Sequence, residues 1–184
     1  CSVAFAGNDH RLGAQEAPPA IISVFLGEEL EAIVDSIVND HDYTDRKRKS
    51  LRIGVDVLPA IPKDTTDRNR TSPVAFTGNK FEFRSLGSSQ SIAGPNTILN
   101  TIMAEELEQF AEELEGVKDF SSALHELIKR VFTEHQRILF SGNGYDESWI
   151  AEAERRGLAN LHNTAEALPA YILPKNIQLM TSHG

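Results

Sequence analysis

"TDRNRTSPVAFTGNKFEFR" (residues 66–84) gathers Arg68, Arg70, Lys80 and Arg84 around two carboxylates, Asp67 and Glu82, for a local charge of +2 in a chain that sums to -9. Its second half alternates. As a strand, "NKFEFR" puts Lys80, Glu82 and Arg84 on one face and Phe81 and Phe83 on the other, because successive side chains of a strand point to opposite sides. The aromatics are then expected to anchor the strand in a core. The polar face lines up cation, anion, cation at steps of about 6.6 Å. Two readings of that row stand. It could hold a divalent metal through Glu82 while Lys80 and Arg84 receive phosphate or carboxylate. The simpler reading, favoured on chemistry alone, is a polar sheet face tied by salt bridges that add little stability. Arg68 and Arg70 fall in a loop pattern, where ligand contacts concentrate, and the planar guanidinium makes paired hydrogen bonds to phosphoryl oxygens.

Outward from this stretch, "EAPPAIISVFLG" (residues 16–27) reads as a buried, β-branched strand and "LRIGVDVLP" (51–59) as a second one stopped by Pro59. Between them, residues 27–40 turn to helical spacing through Leu30, Ile33, Val34 and Ile37. Residues 39–50 form a charged solvent loop whose "RKRK" is answered by Asp35, Asp40, Asp42 and Asp45. The rest is helical. A helix over 94–116 has apolar positions Ile98, Leu99, Ile102, Met103, Leu107, Phe110 and Leu114, with Pro95 in its first turn and Gly116 at its stop. Its other face carries Glu105, Glu108, Glu112 and Glu115, read as solvated rather than metal-binding. A helix over 121–140, capped by Ser121 or Ser122, and a shorter one over 145–157 closed by Gly157 follow. The order of strands and loops, then helices, gives an α+β class, with antiparallel strands in the first half.

Composition narrows the function. The 184 residues are 40% hydrophobic, enough for one domain with one core. A pI near 5.1 argues against nucleic acid as a partner. "PPAIISVFL" is too short to cross a bilayer, so no membrane is expected and the cytoplasm is the simplest location. One Cys excludes an internal disulfide framework and a cysteine-clustered zinc site. The six His are scattered without a paired spacing. "GSSQSIAGPN" (87–96) could cradle an anion ahead of a helix, but it lacks the Lys and spacing of a P-loop, and a plain loop leading into a helix is the simpler reading. The chain opens without Met, as a processed protein or a piece of a longer one would.

"GNDHRLGAQEAPPAI", "TDRNRTSP", "TGNKFEFR", "SSQSIAGPNTILNTIMAEEL" and "RILFSGNGYDESWIAEAERRGL", in this order, resemble the C-terminal half of the catalytic domain of a type III glutamine synthetase. The resemblance spans residues 1–184 almost continuously. It implies an ATP-dependent ligase that joins ammonia to glutamate through γ-glutamyl phosphate, with ATP and Mg²⁺ (or Mn²⁺) as cofactors. The parent would be a ring-shaped homo-oligomer whose sites form between neighbouring subunits. By the same resemblance Glu82 is a metal ligand, Arg84 and Arg11 hold the glutamate substrate, and Arg70 contacts the transferring phosphate. Lys80 is a basic ATP contact, and Glu16 is the flap carboxylate that takes a proton from ammonium. Lys80 standing where an Arg is common, and the short spacing of "RLGAQE", fit the type III branch. The family's N-terminal β-grasp domain and its other metal-binding Glu residues would lie before residue 1, so this piece alone is expected to be inactive. The alternative is a non-catalytic assembly or regulatory module derived from the same fold.

Overall fold

A computed structural model describes residues 18–43, 50–51, 61–62, 72–85 and 91–183. Among them the elements run β1 (Val24–Phe25), α1 (Glu28–Val38), β2 (Ser50–Leu51), β3 (Ile61–Pro62), β4 (Val74–Phe76), β5 (Phe81–Phe83), α2 (Ala93–Leu114), α3 (Phe120–His135), α4 (Glu147–Arg155), α5 (Thr164–Ala167) and α6 (Pro174–Ser182). Short 3-10 turns follow α3 (Gln136–Ile138) and α5 (Leu168–Ile172). The helix-rich chain thus carries a small three-stranded sheet in the order β1-β4-β5 and a separate pair β2-β3. Two of the three strand pairings are antiparallel, as expected, but β1 runs parallel to β4, with Val24 opposite Val74 and Phe25 opposite Ala75. A parallel neighbour needs a long crossover, and α1 with the chain up to residue 73 supplies it. Most of "LRIGVDVLP" lies outside the described residues.

The segment leading into β1 holds two cores apart. Ala20 and Ile22 pack on Ile98 of α2 together with Phe83, Leu99, Ile102 and Ala170. Ile21, between them in sequence, faces the other way into a cluster with Trp149 and Ala153 of α4, bordered by Phe140 and Leu158. Leu139 bridges Val24 in parallel fashion, and the Phe140 N–H donates to the Val24 carbonyl at 3.0 Å. This explains why the third long helix is shorter than its apolar spacing predicts. The α-helix stops at His135 and passes through the 3-10 turn because residues 139 and 140 are drawn out to extend the sheet.

The caps also differ in one place. α3 is capped by Asp119, not by Ser121 or Ser122. The Asp119 carboxylate accepts from the Ser122 N–H at 3.1 Å and from the Ser122 hydroxyl at 2.7 Å. An acid at this position satisfies an orphan amide and meets the positive end of the helix, and it outcompetes a neutral hydroxyl one turn further on. α4 repeats the device with Asp146 and Ser148. The stops fall where expected: α2 ends before Gly116 and α4 before Gly157, at φ of 70° and 68°, values that favour glycine. Beyond Gly157, Asn163 caps α5 by accepting from the Glu166 N–H at 3.0 Å, and Pro174 opens α6. α1 lies against α3, and α6 returns to pack on α2. The charged turn after α1 is tied down too, through an ion pair from Asp40 to Lys129 of α3.

Phe140 stacks on Trp149 with ring centroids 3.7 Å apart and planes within 9° of parallel. Arg156 covers the same indole, 5.5 Å from its centroid. The Arg156 guanidinium donates to the Leu139 carbonyl at 2.8 Å, and its Nε donates to Glu152 at 2.6 Å. A Cβ at Gly142 would meet the Phe140 ring at 2.5 Å, and the stack prevents that ring from retreating. Gly142→Ala should therefore cost about 1–3 kcal/mol of stability by urea denaturation; a cost under about 0.5 kcal/mol would mean that Phe140 is not held. Glu152, bonded by Arg155 and then Arg156, has its carboxyl drawn down to about 2. A depressed carboxyl stabilises the fold above its unfolded value, here an ordinary 4.5, and loses that contribution as pH falls toward 2. The stability gap between the parent chain and Glu152→Gln should thus close over that acid window, as followed by circular dichroism.

Candidate functional site

β4 and β5 form a hairpin closed by Thr77, Gly78, Asn79 and Lys80. The Thr77 N–H donates to the Lys80 carbonyl at 2.9 Å, and Gly78 takes a φ of 97°. The register pairs Val74 with Phe83, Ala75 with Glu82 and Phe76 with Phe81. Registered partners share a face. Phe83 therefore lies on the face covered by α2, and Glu82 continues the row of buried Phe25 and Ala75 on the other. The expectation for the aromatics holds for one of them. Phe83 enters the core, while Phe81, two pairs nearer the hairpin turn, is 59% exposed and leans on Phe76 with centroids 5.2 Å apart. The helix that covers Phe83 does not cover the tip.

The structure brings Lys80, Glu82 and Arg84 together as the strand period requires. The Lys80 ammonium lies 3.1 Å from Oε1 of Glu82. On the other side, Nη2 and Nε of Arg84 donate to Oε2 at 3.1 and 3.3 Å. Lys80, then Arg84, hold the Glu82 carboxyl below its ordinary value through these hydrogen bonds. Exposure falls along the row, from 64% for the Lys80 side chain to 36% for Glu82 and 21% for Arg84. The outer cation is the more exposed and the inner guanidinium the more enclosed, an arrangement that suits Arg to a fixed carboxylate and Lys to a polyphosphate. Arg11, Glu16 and Arg70 lie outside the described residues.

A divalent ion finds only one described ligand here. Mg²⁺ asks for a near-octahedral oxygen shell, and both oxygens of Glu82 are already bonded to cations. Among the described residues, the set of three metal-ligating groups lies elsewhere, at Glu105, Glu108 and His183. By themselves, then, the described residues of the charge row do not fit the ion. Sequence reading left Glu105 and Glu108 to solvent because nothing in it joins them to a His 75 or more positions away. The return of α6 onto α2 makes the meeting, and only the cap signals at Asn163 and Pro174 hinted at it.

Residues 123–184 match the family described as the glutamine synthetase C-terminal domain. The chain is 49% identical over 183 residues, 98% of its length, to the type-3 glutamine synthetase of Dictyostelium discoideum. The chain belongs to the glutamine synthetase family. It is also 45% identical over 177 residues, 92% of its length, to a glutamine synthetase of Bacteroides fragilis. With a glutamine synthetase of Butyrivibrio fibrisolvens it shares 41% identity over its full length. It spans about a quarter of the length of these relatives, 25%, 24% and 26% respectively. Among the described residues of this glutamine synthetase relative, no helix is long and apolar enough to cross a membrane. Lys80→Met should raise the titration of Glu82 toward its ordinary value, read by carbon-detected NMR of the side-chain carboxylate; an unmoved titration would mean that the Lys80 contact does not persist in solution.

Proposed function

We propose that residues 1–184 form the C-terminal half of a glutamine synthetase catalytic domain and supply one wall of a glutamate–ammonia ligase site. The observation that carries this reading is the Lys80–Glu82–Arg84 row, a carboxylate gripped by two cations on one strand face. The 41–49% identity to glutamine synthetases over nearly the whole chain supports it.

The chemistry joins two anions. A side-chain carboxylate oxygen of glutamate attacks the γ-phosphorus of ATP, the bond to the bridging oxygen breaks, and ADP leaves. Charge crowds on the transferring phosphoryl group, so catalysis rests on positioning and on cationic donors aimed at its oxygens. Arg70 takes that role, and Lys80 contacts the ATP phosphates. Arg84 and Arg11 fix the glutamate, and Glu82 orients the Arg84 guanidinium by accepting from its Nε and Nη2. Glu16 accepts a proton from ammonium; the ammonia nitrogen then attacks the acyl carbon, phosphate departs, and loss of a second proton from that nitrogen leaves glutamine. Glu82 would lend one oxygen to a Mg²⁺ or Mn²⁺ ion whose remaining ligands the described residues do not supply. A ring-shaped homo-oligomer in the cytoplasm, with the facing wall of each site from a neighbouring subunit, completes this reading. The rival is a non-catalytic module of the same fold.

The test is γ-glutamyl hydroxamate formation from glutamate, hydroxylamine and Mg-ATP. This chain alone should be inactive. Replacing the matched quarter of the Dictyostelium enzyme with it should give an active chimera, in which Glu82→Gln lowers kcat by about 100-fold and Arg84→Lys raises KM for glutamate about tenfold or more. An active chimera indifferent to Glu82→Gln would remove Glu82 from the site. A folded but inactive chimera would favour the non-catalytic module.

A further inference from the structure

α2 presents Glu105 and Glu108 one turn apart, so the two carboxylates project from one face. Into that face comes His183, the residue that ends α6. Its Nε2 lies 2.7 Å from Oε2 of Glu105 and 4.0 Å from Oε2 of Glu108, and one ligand atom from each residue falls within 4.8 Å of the others. We propose that Glu105, Glu108 and His183 bind a single Zn²⁺ ion that clamps the end of α6 to α2.

Geometry and ligand chemistry both point to that ion. A tetrahedral site with metal–ligand bonds of about 2.0–2.1 Å separates its ligand atoms by roughly 3.4 Å. The two distances from His183 bracket this value, and the two carboxylate oxygens lie within 4.8 Å of each other, so modest side-chain shifts close the site. Glu105 is already aimed. Its Oε1 accepts from the Gln109 amide at 2.8 Å, which leaves Oε2 turned toward the histidine, as an outer partner does for a ligating carboxylate. One imidazole nitrogen beside two carboxylates suits zinc, whereas Mg²⁺ would require an all-oxygen octahedron that these residues do not offer. The fourth position is open, since the Glu108 side chain is 62% exposed while the side chains of Glu105 and His183 are 30% and 20% exposed. Water can fill it and the ion can enter from that side. The two helices already pack on each other, so the ion closes a junction whose ordering cost is largely met. This site is separate from the charge row and does not depend on the ligase reading.

The proposal is tested by titrating Zn²⁺ calorimetrically into the full chain, with millimolar Mg²⁺ present to occupy oxygen-only sites and with Cys1→Ser as the background, so that the thiol cannot compete. One Zn²⁺ per chain is expected, with affinity weakened tenfold or more by Glu108→Gln and likewise by His183→Ala. Glu108→Gln changes a largely exposed side chain, and an unchanged circular dichroism spectrum guards against a folding artefact. Absence of stoichiometric binding would overturn the site and leave His183–Glu105 as a plain ion pair. Stoichiometric binding weakened less than threefold by Glu108→Gln would also overturn it, since the ion would then sit elsewhere.

Discussion

Residues 20–25 are gripped from both sides, and the rest of the described chain is arranged around that grip. Ile21 is 1% exposed against the indole of α4, and its neighbours Ala20 and Ile22 close against α2. A run of six residues cannot bury opposite faces unless helices arrive on both, and here they are α2 and α4, with α3 between them in sequence. Once the segment is fixed, β4 docks beside it in parallel and carries β5 with it. The position of the charge row is thus a consequence of hydrophobic burial more than 50 residues upstream. Ionic contacts among exposed groups contribute little to holding a fold, so the row inherits its geometry rather than creating it.

The row itself is a compromise between opposing demands. Two cations next to each other on a sheet face repel, and an anion between them relieves that repulsion. The same anion competes with any incoming phosphate or carboxylate for the cations' donors. In the proposed ligase, a ligand that enters would exchange one set of charge-assisted hydrogen bonds for another, which would keep ground-state binding modest and leave interaction energy for the more highly charged transition state. The inward decline in exposure gives this exchange a direction, since Lys80 can swing away more readily than Arg84.

Much of this was legible in the sequence wherever local rules decide. The period of "NKFEFR" placed Lys80, Glu82 and Arg84 on one face, and the spacing of α1, α2 and α4, the last two with glycine stops, gave helices close to those found. Where tertiary contacts overrode local preference, sequence reasoning went astray. The end of α3 yields to a sheet partner 115 positions away, and Phe81 stays exposed because α2 does not reach it. The parallel pairing of β1 and β4 was not expected either, because strand direction depends on a crossover path that periodicity does not encode. The choice of Asp119 over Ser121 as cap is different in kind: the signal was present one residue ahead of the helix and carried by a charge. For the proposed ligase, Arg11, Glu16 and Arg70 rest on the motifs around them and not on described geometry.

Trp149 is the sole tryptophan of the chain. It is wedged between Phe140 and Arg156 and touches the cluster that holds Ile21. Its emission therefore comes from one place, the seam where the start of the chain meets its helical end. An observer following that colour alone would watch the two halves of the molecule find each other, undisturbed by events at the hairpin or along α2.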